Sequence, residues 1–125
     1  MFAKRGLCCG AFVVLCVTLA PVSAQDDQRV FLIGNSLTMD ALPVLLGQGV
    51  QWHIDCGKNL QYIHDHPQKP CVKSSYLWPI ALAEVEYDVL CVQPHFGTRL
   101  DQDVAVISEW MRMQPQARLV IHTGW

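Results

Sequence analysis

The chain has no apolar run long enough for a bilayer span. Its longest, Leu7 to Ala20, falls short of the ~20 residues a crossing helix needs. No basic stretch interleaved with aromatic residues occurs, which argues against nucleic acid as a partner. No internal repeat or low-complexity segment is visible, so a solenoid or an array is excluded. Metal-ligand spacing is missing as well. His53, His64 and His66 invite a metal reading, but no paired carboxylate or cysteine set stands near them. They are read as solvated loop histidines, and no metal or cofactor is expected. Finally, Gly34-Asn35-Ser36-Leu37-Thr38 has one glycine and no lysine. That makes it a poor phosphate cradle and speaks against a nucleotide- or flavin-phosphate-binding domain.

What is present begins with an export signal. Lys4 and Arg5 precede the apolar run, and Val22-Ser23-Ala24 is a small-residue cleavage site. Residues 1–24 are expected to be a signal peptide, an uncleaved N-terminal anchor being the alternative. Cys8, Cys9 and Cys16 do not stand where a lipoprotein signal places its cysteine. Loss of the signal leaves seven basic residues against eleven acidic ones, a net charge of −4. The expected location is periplasmic or extracellular, with no stable membrane span after cleavage. Three cysteines remain, Cys56, Cys71 and Cys91. Export permits a disulfide. Cys56 and Cys71 lie in polar sequence and can pair, whereas Cys91 sits in an apolar strand and reads as a small core residue.

Residues 25–125 read as one α/β domain. Strands are predicted at 29–33, 50–55, 87–92 and 117–122. Asp40 is a candidate cap for a helix from Ala41 to the glycines at 47 and 49. Residues 57–74, with Pro67 and Pro70, look like a surface excursion. A short helix is expected to start near Trp78, and a longer one after Asp101 with Val104, Ile107 and Met111 as its apolar stripe. Trp52, Trp78 and Trp110 are read as core. Strands alternating with helices predict a mostly parallel, doubly wound, flavodoxin-like sheet in a three-layer sandwich.

The chemistry points to the end of the first strand. Val30-Phe31-Leu32-Ile33 stops at Gly34, and Ser36 follows. Open α/β sheets place their ligands at the carboxyl ends of strands, and a serine in such a turn is a candidate nucleophile.

At Gly34-Asn35-Ser36-Leu37 the chain resembles the first block of the SGNH, or GDSL, hydrolase family, which reads Gly-Asp-Ser-Leu. The preceding strand and Thr38 also match, while asparagine replaces the aspartate. The resemblance implies a serine ester hydrolase with Ser36 as nucleophile and its backbone N–H as one oxyanion donor. Gly57, after the second strand, resembles the family's second-block glycine and is a candidate second donor; otherwise it simply makes a turn. The third block, Gly-x-Asn-Asp, is replaced by Gln93-Pro94-His95-Phe96-Gly97. Gln93 or His95 can donate in place of the asparagine, or pin a loop instead. The family's base comes from a late Asp-x-x-His block, and none occurs in residues 87–125. His95 and His122, both at strand ends, are minor candidates for a substitute base, and His122 is otherwise expected to line the substrate crevice. The apolar fourth strand has nothing after it to cover it, so the expectation is a truncated domain, with the base beyond Trp125. Implied substrates are small-molecule or polysaccharide esters, either carbohydrate O-acetyl groups or lipid esters. The rival expectation is a non-catalytic binding or interaction domain on the same fold.

Overall fold

The computed structural model describes residues 28–40 and 43–123. The expected signal peptide at 1–24 lies outside the described residues, as does the start of a helix at Ala41. Four strands form one sheet: β1 (Val30–Gly34), β2 (Val50–Ile54), β3 (Val89–Val92) and β4 (Arg118–Ile121). All neighbours are parallel, in the order β2-β1-β3-β4. The chain is therefore an α/β protein. Its order follows the first four strands of the flavodoxin-like arrangement.

Alternation along the strands separates two faces. Phe31 and Ile33 of β1, with Leu90 and Val92 of β3, point into the main core. Three helices cover that face: α2 (Leu60–Asp65), α3 (Trp78–Glu84) and α4 (Leu100–Met113). Leu60 and Ile63, Trp78 and Leu82, and Val106 and Trp110 fill the space between. The Trp78 and Trp110 rings meet edge to face at 5.6 Å. Each such buried side chain contributes ~1.5–3 kcal/mol through area removed from water. Gln114 ties the far end together. Its Oε1 accepts the Tyr87 N–H at 2.9 Å, and its Nε2 donates to the carbonyls of Leu82 and Val85 at 2.7 and 2.8 Å.

The other face is met by α1 (Ser36–Asp40) and a 3₁₀ turn (Pro43–Leu46). Leu32, Cys91 and Val120 line a groove there of about 400 Å³. β4 forms the sheet edge and is exposed throughout.

Several predicted elements are corrected. A helix the sequence did not announce runs from Ser36 to Asp40, headed by Asn35, whose side-chain carbonyl accepts the Leu37 N–H at 3.0 Å. Pro43 then begins a tighter turn, its ring lacking the donor that an α-helix would use. The excursion at 57–74 contains α2, capped by Asn59, whose Oδ1 accepts the Tyr62 N–H at 2.8 Å. Arg99, not Asp101, is the cap residue of α4. Its buried stripe is Asp103, Val106 and Trp110, while Val104 is exposed and Ile107 and Met111 only flank the core. The bulk of Trp110 decides the helix rotation, and Asp103 is tolerated because the Thr98 hydroxyl donates to it at 2.6 Å.

Candidate functional site

The sheet order makes a crevice by itself. From β1 the chain moves outward to β2, while β3 lies on the opposite side of β1. The two exits diverge at the carboxyl edge between β1 and β3, the topological switch point where such sheets bind ligands. A cavity of about 120 Å³ opens there. Asn35, Ser36 and Leu37 line it from the end of β1, Gly57 from the end of β2, and Pro94, His95 and Phe96 from the end of β3.

Ser36 is exposed at the first position of α1. Beside it Asn35 is buried, its side chain spent on the helix cap. Among the described residues no acceptor takes the backbone N–H of Ser36 or of Gly57. Gly57 holds φ +66°, a left-handed conformation that a side chain strains. A disulfide joins the preceding residue, Cys56, to Cys71 with Cα atoms 5.6 Å apart. The Cys71 N–H donates to the Ile54 carbonyl at 3.1 Å, which anchors the same loop to β2.

Gln93 is placed differently from His95. Its side chain is buried and does not line the cavity. It lies beneath, where its Oε1 accepts from the Thr38 hydroxyl at 2.7 Å. Gly34 makes that contact possible. A Cβ there would run into Thr38 Oγ1 and sit 2.8 Å from Gln93 Cβ. Gln93 Nε2 is buried without a partner among the described residues. His95 is half-buried, with its Nδ1 2.8 Å from the Phe96 carbonyl and its ring stacked on Phe96 at 4.9 Å.

The cavity wall carries no Lys, Arg, Asp or Glu. The nearby Lys58 ammonium lies over the Tyr62 ring, 4.5 Å from its centroid. Asp55, at the end of β2, is buried, and desolvation raises its carboxyl pKa against the opposing pull of Lys58 and His66.

The remaining histidines lie elsewhere, and two correct the expectation of solvated loops. His53 on β2 is fully buried and its Nδ1 accepts the Trp78 N–H at 3.1 Å. Desolvation lowers its pKa to about 4. His64 on α2 stacks on Trp78, bonds Asp65 through Nδ1 at 3.0 Å, and places Nε2 at ion-pair distance, 3.1 Å, from Glu109. No aligned hydrogen bond reaches that Nε2. Burial works against its charge, but the two carboxylates outweigh burial and leave the pKa raised. His66 bonds the Tyr62 carbonyl. His122 lines the groove on the other sheet face, away from Ser36's cavity. Among the described residues no group of three or more His, Cys, Asp or Glu comes close enough to hold a metal ion. No described helix is long and apolar enough to cross a membrane.

Sequence reasoning missed Asn35, Thr38 and Phe96. Asparagine followed by Ser-Leu-Thr is a cap signal, so Asn35 was findable. Phe96 carries none. Comparisons with protein-family models, with curated proteins and with solved structures return no match.

Proposed function

We propose that this chain is an exported ester hydrolase of the SGNH type, with Ser36 as nucleophile. One observation carries the reading. Ser36 stands at the switch-point cavity, with its own N–H and that of Gly57 unclaimed by any described acceptor. Ser36 Oγ attacks the acyl carbon, and the oxygen that gains charge faces those two amides. Preorganised donors of this kind are worth ~2.7–4 kcal/mol each at an oxyanion. The uncharged wall suits a neutral ester better than a phosphate. The small volume suits a short acyl group, which favours O-acetyl esters on a small molecule or polysaccharide over long lipid chains.

A non-catalytic binding domain on the same fold is the second reading. It is favoured by the third block, where Gln93 is turned away from the cavity and supplies no donor to it. A fluorophosphonate distinguishes the two. The full chain should take up one equivalent, on Ser36, and S36A none. An unlabelled wild-type chain supports the binding domain instead.

A further inference from the structure

We infer that His64 is a protonation-dependent clasp between α2 and α4, closed while its ring is charged and released when the ring is neutral. The clasp is independent of how Ser36 is used. It reaches the cavity through the two helices it joins.

The ring bridges the helices with both nitrogens. His64 stands on α2, and its Nδ1 lies 3.0 Å from Asp65 Oδ1 on the same helix. Its Nε2 lies 3.1 Å from Glu109 Oε2 on α4. An ionised carboxylate only accepts, so each ring nitrogen needs a proton to face its partner favourably. A neutral ring has one N–H and one lone pair. Whichever tautomer it takes, one carboxylate then meets the lone pair. The arrangement fits the imidazolium. The aromatic neighbours favour the same state. The Trp78 ring of α3 stacks on His64 at 5.2 Å with planes 18° apart, and a cation over an indole face is attracted by the ring quadrupole.

The charged groups that act on His64 are Asp65 from α2 and Glu109 from α4. Asp65 is itself fixed by Gln61, whose Nε2 donates to its carboxylate at 3.0 Å, and it also feels His66. α3 brings the Trp78 ring and no charge, because its Glu84 is bonded to the Tyr76 hydroxyl. Desolvation lowers the His64 pKa, and the two carboxylates together more than reverse it, leaving it above the ordinary 6.5. The stability that the clasp contributes is then complete below pH 6.5. It is lost as pH rises through the folded value.

Each helix carries one wall of the cavity. α2 begins just after Gly57, with Asn59 as its cap. α4 anchors the loop of His95 and Phe96: Thr98 Oγ1 lies 2.9 Å from the His95 carbonyl and 2.6 Å from the Asp103 carboxylate. Closing the clasp therefore fixes the Gly57 wall against the wall of His95 and Phe96, and releasing it frees one to move against the other.

The test is a pH titration of the full chain by NMR, with E109Q and H64Q beside it. In wild type the His64 ring should titrate above pH 6.5, and in E109Q lower than in wild type. The Gly57 and Phe96 amides should shift with the same midpoint in wild type and not in H64Q. Urea unfolding supplies a double-mutant cycle of H64Q and E109Q. The coupling should be ~2–5-fold in the unfolding constant at about pH 6, the usual worth of an ion pair near the surface, and absent at about pH 9. Each cycle compares variants at one pH, so the titration of His53 cancels. A His64 midpoint at or below 6.5, or one that E109Q leaves unchanged, overturns the clasp, as does equal coupling at the two pH values. Amides that follow no such midpoint overturn its reach to the cavity.

Discussion

Replacing Gly34 with alanine should damage stability and the site together. The added methyl would collide with Thr38 Oγ1 and lie 2.8 Å from Gln93 Cβ. Neither neighbour can retreat freely, since both are buried and bonded to each other at 2.7 Å. Overpacking of this kind costs about 1–3 kcal/mol. Breaking the Thr38–Gln93 bond adds about 1 kcal/mol. G34A is therefore expected to lose about 2–4 kcal/mol, a large part of the ~5–15 kcal/mol that holds a small domain together. T38A alone strips Gln93 Oε1 of its donor and should cost about 1–3 kcal/mol. In G34A/T38A one of the two collisions is gone, so the double variant should lose less than the sum of the singles by about 1 kcal/mol. Urea unfolding followed by tryptophan fluorescence measures all three. A G34A protein within 0.5 kcal/mol (roughly experimental scatter) of wild type would refute the packing argument, and so would strictly additive single variants.

Other expectations follow from the same structure. The Cys56–Cys71 bridge closes a 15-residue separation, for which loop entropy predicts ~3 kcal/mol; C56S/C71S should lower the urea midpoint accordingly, and an unchanged midpoint would count against a structural role. His53 is neutral in the folded chain down to about pH 4, against 6.5 for the free side chain. Below pH 6.5 the unfolded chain takes up a proton that the native one refuses, so stability falls from pH 6.5 to 4 by up to about 3 kcal/mol and levels off below. Histidine NMR should show His53 as the Nε2–H tautomer with no titration above pH 5, and titration near 6.5 would contradict its burial.

Much of the fold was legible because β1 and β3 are apolar on both faces, as strands inside a parallel sheet must be. Gly34 and the start of α3 at Trp78 were legible for equally local reasons. α2 was not, because Lys58, Gln61, His64, Asp65 and His66 surround its two buried residues and make the segment read as loop. The rotation of α4 is a tertiary choice. The stripes 103-106-110 and 104-107-111 lie side by side, and only the pocket for Trp110 selects between them. His53 was read as a solvated histidine because nothing next to it in the sequence offers its ring a partner. Its pairing with the Trp78 N–H comes from a segment 25 residues away.

At the site, the strand-end positions of Ser36, Gly57 and His95 were readable from where the apolar runs stop. The direction of Gln93 was not read, although alternation explains it. Continuing past Val92, it falls on the face of Cys91 rather than that of Leu90, and there Thr38 waits.

The most direct test of the central claim is a crystal structure of the full chain after phosphonate treatment. The account predicts phosphorus bonded to Ser36 Oγ, with one phosphonyl oxygen within hydrogen-bond distance of the Ser36 and Gly57 amides. An unmodified Ser36, or an adduct whose oxygen turns away from Gly57, would contradict it.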